Sequence, residues 1–291
     1  MNPRATALLL LALAGCGTTV PASHTTLAPS HTTLAPVSRA TRGVRASATS
    51  RPTHHGTRPG LATSQPVATS QPTSQPAPFV PTEPLRCGSP VGQRVALTFD
   101  DGPSRFTARF LAVLRRRHVR ATFFVLGRLA RRHPDLIRKI QADGHLIANH
   151  SYNHPLTGTD DEWRRQIQRT EEAIRAAGAV PARYFRPPHG KLTPQLRAVC
   201  RELGYTVVLY TLLSSDWQRP GVEALVRQVT HRAAPGGVVV LHDAGGDRHQ
   251  TLEALPQILD NLKRNGLRLV PVDELLGPRP QVLPCARPRV R

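Results

Sequence analysis

Aromatic side chains are scarce in this sequence, 4% of 291 residues, too few for the stacking platform on which single-stranded nucleic acids lie. Cysteine is scarce as well, and the four residues at 16, 87, 200 and 285 make no Cys/His spacing of the zinc-finger kind. Acidic residues are outnumbered by basic ones, 19 against 39, which leaves a formal charge of +20. Such a field draws anionic polymers of any kind, so nucleic acid is the first partner to weigh, and the two shortages argue against it. The charge then reads as a basic surface governing solubility and association. A long apolar run is missing too: Ala5 to Ala14 has ten residues, about half of what a membrane-spanning helix needs. The length exceeds a minimal domain and suits one barrel-sized enzyme with appendages.

The short apolar run follows Arg4 and leads into Leu13-Ala14-Gly15-Cys16. A positive start, a short apolar stretch and a small-residue exit make a secretory signal. The last four residues resemble the lipobox of bacterial lipoproteins, which implies cleavage before Cys16 and a lipid on the new N-terminus. Export follows, with a lipid anchor in the bacterial cell membrane on its periplasmic or cell-surface side. Residues 17–86 are rich in Pro, Ser, Thr, Ala and His and lack apolar periodicity, so they cannot bury a core. SHTTLAP occurs at Ser23 and again at Ser30, and TSQP at Thr63, Thr69 and Thr73. These short irregular repeats describe a slack tether reaching on the order of 50 Å. The expected organisation is a signal at 1–16, a tether at 17–86 and a folded domain at 87–291.

Past Cys87, apolar runs alternate with amphipathic stretches. Strands are expected at Arg94–Phe99, Ala121–Val125, Leu146–Ala148, Tyr184–Arg186, Thr206–Tyr210, Val238–Leu241 and Arg268–Val270. Between them the pattern predicts helices at Arg105–Arg117, Pro134–Asp143, Asp160–Ala177, Thr193–Leu203, Val222–Arg232 and Leu252–Asn265, with Gly204 and Gly266 closing two of them. Strands alternating with helices make an α/β fold with a parallel sheet covered by helices, and about seven strands come close to a barrel. Cys87 and Cys285 stand at the two edges of this domain, where a disulfide would tie its ends in an oxidising compartment. Cys200 shares a helix with Leu196, Val199 and Leu203 and reads as a buried thiol.

Polar residues gather where these strands end, the position at which barrel enzymes carry their reactive groups. The first strand runs into Asp100-Asp101-Gly102-Pro103; two adjacent carboxylates repel, so a cation or a proton must neutralise one of them. The third runs into Asn149-His150-Ser151-Tyr152-Asn153-His154, whose two imidazoles can face one point if the loop makes a single turn. With a carboxylate from the first strand they complete a two-His, one-carboxylate metal set that leaves positions open for water and substrate. The fourth ends in Arg186-Pro187-Pro188-His189-Gly190, where Arg186 can keep a nearby carboxylate ionised and the tight loop can aim a backbone amide at an oxyanion. Ser215-Asp216-Trp217 and His242-Asp243 follow later strands, and an Asp that orients a His fixes an acid-base catalyst.

With TFDDGP from Thr98, HSYNH from His150, RPPHG from Arg186, SSDW from Ser214 and LHD from Leu241, the sequence resembles the NodB-homology polysaccharide deacetylases, carbohydrate esterase family four, across roughly Val95 to Leu275. The resemblance implies a distorted, incomplete (β/α) barrel that hydrolyses acetyl groups, usually N-acetyl, from N-acetylglucosamine polymers. It implies that Asp101, His150 and His154 hold a divalent metal, most often zinc, with cobalt or nickel as substitutes. Asp100 becomes the general base tuned by Arg186, and His242 the general acid oriented by Asp216. His189 faces the sugar, and Trp217 and Leu241 line a slot for the acetyl methyl. Two positions depart from the family pattern, His189 where a Tyr is usual and Leu213 where an Asp is frequent. The expected partner is an acetylated polysaccharide, peptidoglycan first, handled by a monomer held at the membrane through its lipid. The alternatives are an O-acetyl esterase on xylan or another sugar, and a non-catalytic glycan-binding lipoprotein.

Overall fold

Strands and helices alternate through residues 80–286, the part of the chain that the computed structural model describes. The order is β1 (Arg94–Asp100), α1 (Thr107–Arg116), β2 (Thr122–Val125), α2 (Gly127–Arg132), α3 (Pro134–Ala142), β3 (Leu146–Asn149), α4 (Asp160–Ala176) and β4 (Tyr184–Phe185). It continues with α5 (Pro194–Glu202), β5 (Thr206–Val207), β6 (Leu212–Leu213), α6 (Val222–Arg232), β7 (Val238–His242), α7 (His249–Arg264), β8 (Arg268–Val270) and α8 (Val272–Leu276). The expected signal, Cys16 and most of the expected tether lie outside the described residues. Leu85 lies within them and is buried, and its backbone bonds Val207 and Leu209 at 2.9 and 2.7 Å. Contacts with the domain therefore begin ahead of the expected edge at Cys87, and Glu83 already pairs with Arg197 at 2.6 Å.

All strand pairings are parallel. The sheet path is β5-β4-β3-β2-β1-β7-β6, and β8 pairs with the first residues of β1. The two ends, β5 and β6, do not pair with each other, so the barrel is curled and incomplete, as expected. Two details differ. The path of seven includes Leu212–Leu213, two residues too short to show a period, while Arg268–Val270 sits off that path. The short helices α2 and α8 were not anticipated either, because five or six residues display less than two turns of amphipathic pattern.

Strand side chains alternate between two faces. Val95, Leu97 and Phe99, with Phe123, Ile147, Val239 and Leu241, pack outward against helix residues such as Phe110, Leu114, Ile140, Leu255 and Ile258. Ala96, Phe124, Ala148 and Val238 pack inward with Val208 and Val270. Each fully buried Val, Leu or Phe contributes about 1.5–3 kcal/mol of transfer free energy, which makes the outward layer the main support of the sheet. The helices are bounded by local signals. Thr159 and Glu162 form a reciprocal capping box at the start of α4, and Thr193 caps α5 just ahead of Pro194. Gly204 and Gly266, at φ +73 and +78, let the chain leave α5 and α7 without a Cβ penalty.

Cys87 and Cys285 form a disulfide with Cα atoms 5.6 Å apart, joining segments 198 residues apart in sequence. Cys200 is a free, buried thiol whose pKa burial pushes upward.

Candidate active site

The inward row on each strand decides which polar groups meet. Along β1 the inward positions are Ala96, Thr98 and Asp100; along β3 and just beyond it, Ala148 and His150; on β7, Val238, Val240 and His242. At their carboxyl ends these rows leave the apolar interior and become chemical. Asp100 and His242 are register partners on adjacent strands, so an acid and an imidazole stand side by side at the mouth of the barrel. Loops just past the strands complete the set, and several hold non-glycine residues in left-handed backbone: Asp101 (φ 72), Ser151 (φ 70), His154 (φ 63), His189 (φ 58) and Ser215 (φ 55). Strained backbone of this kind persists where the surroundings enforce it, which here is around one cleft.

Asp101 Oδ1 lies 3.6 Å from His150 Nε2 and 3.4 Å from His154 Nε2. These distances exceed hydrogen bonds, and Asp101 Oδ1 is buried without a hydrogen-bond partner. Tetrahedral ligands about 2.1 Å from a zinc-sized ion stand about 3.4 Å from one another, so the spacing fits such an ion. One carboxylate oxygen and two imidazole nitrogens within 4.8 Å of one another are a donor set suited to a divalent metal. His150 Nδ1 contacts the Arg186 carbonyl at 2.7 Å, which assigns the proton to Nδ1 and turns the Nε2 lone pair toward Asp101. Burial holds the His150 pKa down to about 3 against the raising charge of Asp101, so its imidazole is neutral, as a ligand must be. His154 is lowered too, first by burial and further by His189, with Asp101 opposing.

Arg186 is 1% exposed. Its Nη1 donates to Asp100 Oδ1 at 2.6 Å and Thr98 Oγ1 at 2.8 Å, while Nε donates to the Val208 carbonyl at 3.2 Å. The guanidinium also lies 3.9 Å from the Phe124 ring centroid, which fixes its plane. On the other side, Asp216 is buried and touches His242 twice, at Nδ1 (2.6 Å) and at the backbone amide (2.9 Å). Thr251 Oγ1 and Ser214 Oγ donate to the same carboxylate at 2.9 and 3.1 Å. Burial alone would lower the pKa of His242. The hydrogen bond and charge of Asp216, with the charges of Asp100 and Asp101, outweigh burial and raise it. Asp216 moves down despite burial, held ionised by His242.

Asp100, Asp101, His150, His154, Arg186 and His242 line a cleft of about 380 Å³ together with His189, Trp217, Tyr210 and Leu213. The exposed His189 ring packs edge-on against His154 at 4.4 Å, and Trp217, 39% exposed, packs edge-on against His242 at 5.2 Å. Leu241 is a correction. It has the outward parity of β7 and is fully buried in the helix-side core, and it is absent from the cleft lining; the inward neighbour of His242 is Val240. Asp243 does not orient His242. Its carboxylate accepts from Thr107 Oγ1 inside the protein, and burial, with the charge of Asp101 adding, pushes its pKa up to about 7. Tyr210 and Arg248 line the cleft unanticipated; the first ends an expected strand, and the second carries no local signal.

Residues 88–208 match the family model described as polysaccharide deacetylase. A peptidoglycan-N-acetylglucosamine deacetylase of Bacillus cereus is 38% identical over 187 residues, 62% of this chain and 87% of that protein. The chain belongs to the polysaccharide deacetylase family. A chitooligosaccharide deacetylase of Rhizobium leguminosarum bv. trifolii is 39% identical over 61% of this chain and 89% of its own length. The crystal structure of the Bc1960 peptidoglycan N-acetylglucosamine deacetylase superposes with a TM-score of 0.63 at 32% identity, covering 66% of this chain and 91% of that one. As a family member the deacetylase hydrolyses acetyl groups of polysaccharide, and its Asp/His/His cluster could hold the metal that such enzymes use.

Proposed function

We propose that this deacetylase removes N-acetyl groups from an N-acetylglucosamine polysaccharide of the cell envelope, with peptidoglycan or a chitin-like glycan as the polymer. The observation that carries this reading is the opposite treatment of two neighbouring strand ends. Asp100 is paired with a buried guanidinium, and His242 is paired with a buried carboxylate. A site that separates its titratable groups in this way is built for one base and one acid.

Asp101, His150 and His154 would hold a divalent ion, zinc first, which would supply Lewis acidity to the site. Asp100, positioned by its ion pair with Arg186, takes the proton of the attacking water as the carbon–oxygen bond forms. The loop at His189 presents backbone N–H to the oxygen that gains charge. His242, protonated and held by Asp216 at Nδ1, delivers a proton from Nε2 to the sugar nitrogen as the carbon–nitrogen bond breaks. An amine needs that proton far more than an alkoxide does, which favours the N-acetyl over the O-acetyl substrate. Trp217 beside His242 offers an apolar wall to the acetyl methyl. Cys16 bears the lipid, and residues 17–86 link it to the catalytic domain.

Mass spectrometry of muropeptides and chitooligosaccharides after incubation is expected to show loss of one acetyl at a time. A strong chelator abolishes the loss, and zinc or cobalt restores it. Asp100→Asn retains metal, read by metal analysis, and loses turnover. Hydrolysis that persists in Asp100→Asn, or acetate released from acetylated xylan alone, refutes the assignment.

A further inference from the structure

The loop that carries both imidazoles of the cluster has a second face. Tyr152 lies between His150 and His154, and its backbone is pinned on three sides. Its amide and that of Asn153 donate to Gln166 Oε1 at 2.8 and 3.0 Å, and its carbonyl accepts from the Arg128 amide at 3.0 Å. The Tyr152 ring turns away from the cleft into a groove of about 400 Å³ between α2, α3 and α4, where Arg131 and Arg169 also stand. The Arg169 guanidinium lies over the Tyr152 ring, 3.9 Å from its centroid. Stacking fixes its plane and leaves its N–H edge free, so little entropy remains to be lost when an oxyanion binds.

Charge in this region is unbalanced. The nearby acids are taken up by other cations: Asp135 by Lys139, Asp161 and Glu202 by Arg164, Glu171 by Arg175 and Arg183. Among the described residues Arg131 and Arg169 have no carboxylate within ion-pair distance, and Arg128, Arg132 and Arg165 are exposed on the same helices. Glu172 is the one acid in the groove lining, and it leaves the groove positive.

We infer that this groove is an anion-binding subsite for a carboxylate carried by the acetylated glycan itself. This rests on the deacetylase reading and narrows its substrate class to glycans that carry carboxylates in addition to the scissile acetyl group. The chemistry is a planar guanidinium against a planar carboxylate, and the rigid 150–154 loop ties the groove to the metal cluster.

The test compares kcat/KM for two glycan strands of equal length, one with free carboxylates and one with the same carboxylates amidated, and for a neutral N-acetylglucosamine oligomer. The strand with free carboxylates is expected to be preferred, with the preference carried by KM and shrinking as salt rises. Exposed ion pairs of up to about 1 kcal/mol predict that Arg169→Gln cuts the free-to-amidated ratio by up to about 5-fold and that Arg131→Gln/Arg169→Gln cuts it by up to about 30-fold. Glu172→Gln, which removes the opposing charge, raises the same ratio. Equal kcat/KM for the two strands in the parent enzyme, or ratios that none of the three variants moves, overturns the inference. Should neither strand nor the neutral oligomer release acetate, the deacetylase reading fails; turnover of all three without preference fails the subsite alone.

Discussion

Replacing Arg186 with methionine removes the cation from Asp100 while keeping an apolar stem of similar length. Asp100 is 4% exposed, and Arg186 is its ion-pair partner at 2.6 Å. Deleting one member of a buried pair leaves an uncompensated charge and costs about 3–5 kcal/mol. The Val208 carbonyl and the Phe124 face lose their partner as well. For a domain of this size each kcal/mol moves the melting temperature by about 2–4 °C, so Arg186→Met is expected to melt about 6–20 °C below the parent. The assay is thermal unfolding in a double-mutant cycle. Asp100→Asn placed on Arg186→Met neutralises the stranded carboxylate and recovers part of the loss, with a coupling of about 1–3 kcal/mol. Arg186→Lys recovers little, because an ammonium cannot reach Asp100, Thr98 and Val208 at once. A single variant that melts within about 2 °C of the parent, with coupling below about 0.5 kcal/mol, would refute the claim that the buried Arg186–Asp100 pair supports the fold.

Asp216→Asn withdraws the group that holds the His242 pKa up. The acid is needed protonated, so the alkaline limb of the pH profile of kcat/KM moves to lower pH, and activity falls about 100-fold; an unmoved limb refutes the pairing. His145 is buried, with its pKa lowered to about 4 by burial from an ordinary 6.5. Between these values the unfolded chain binds a proton that the folded one refuses, so stability is full above pH 6.5 and is lost as pH falls. Urea unfolding is expected to show about 2 kcal/mol lost to this group between pH 7 and pH 5, and His145→Gln flattens that slope. The Cys87–Cys285 disulfide closes nearly the whole domain. Its reduction, or Cys285→Ser, costs about 2–5 kcal/mol and lowers the melting temperature by about 4–20 °C; a melt indifferent to reductant refutes its contribution.

Much of this site was legible before any coordinates, because a strand followed by a polar cluster marks the place where an inward row reaches the open end of a barrel. Asp100, His150, Arg186 and His242 were found that way. Leu241 was misplaced for the reason the others were found: adjacency to His242 in sequence means the opposite face in a strand, and only parity separates the two. Tyr210 was visible as a strand end, but nothing local marked it as a wall. Arg248 holds the carbonyls of Ala244, Gly245 and Asp247, at 2.6, 2.9 and 3.2 Å, a contact set that no periodicity displays. The strand β6 and the helices α2 and α8 were missed because two to six residues carry too little pattern, and tertiary packing decides their state.

The alternation along β7 makes the strand a text read in a frame of two. Deleting one residue between Val238 and Leu241 would leave its apolar composition almost intact and yet change which remaining side chains face in and which face out. The imidazole would then point at the helix layer, and a leucine would stand at the mouth of the barrel. A change of length inside β7 therefore displaces the site, whereas the connection at 244–247 lies beyond the ladder and has no such frame to keep.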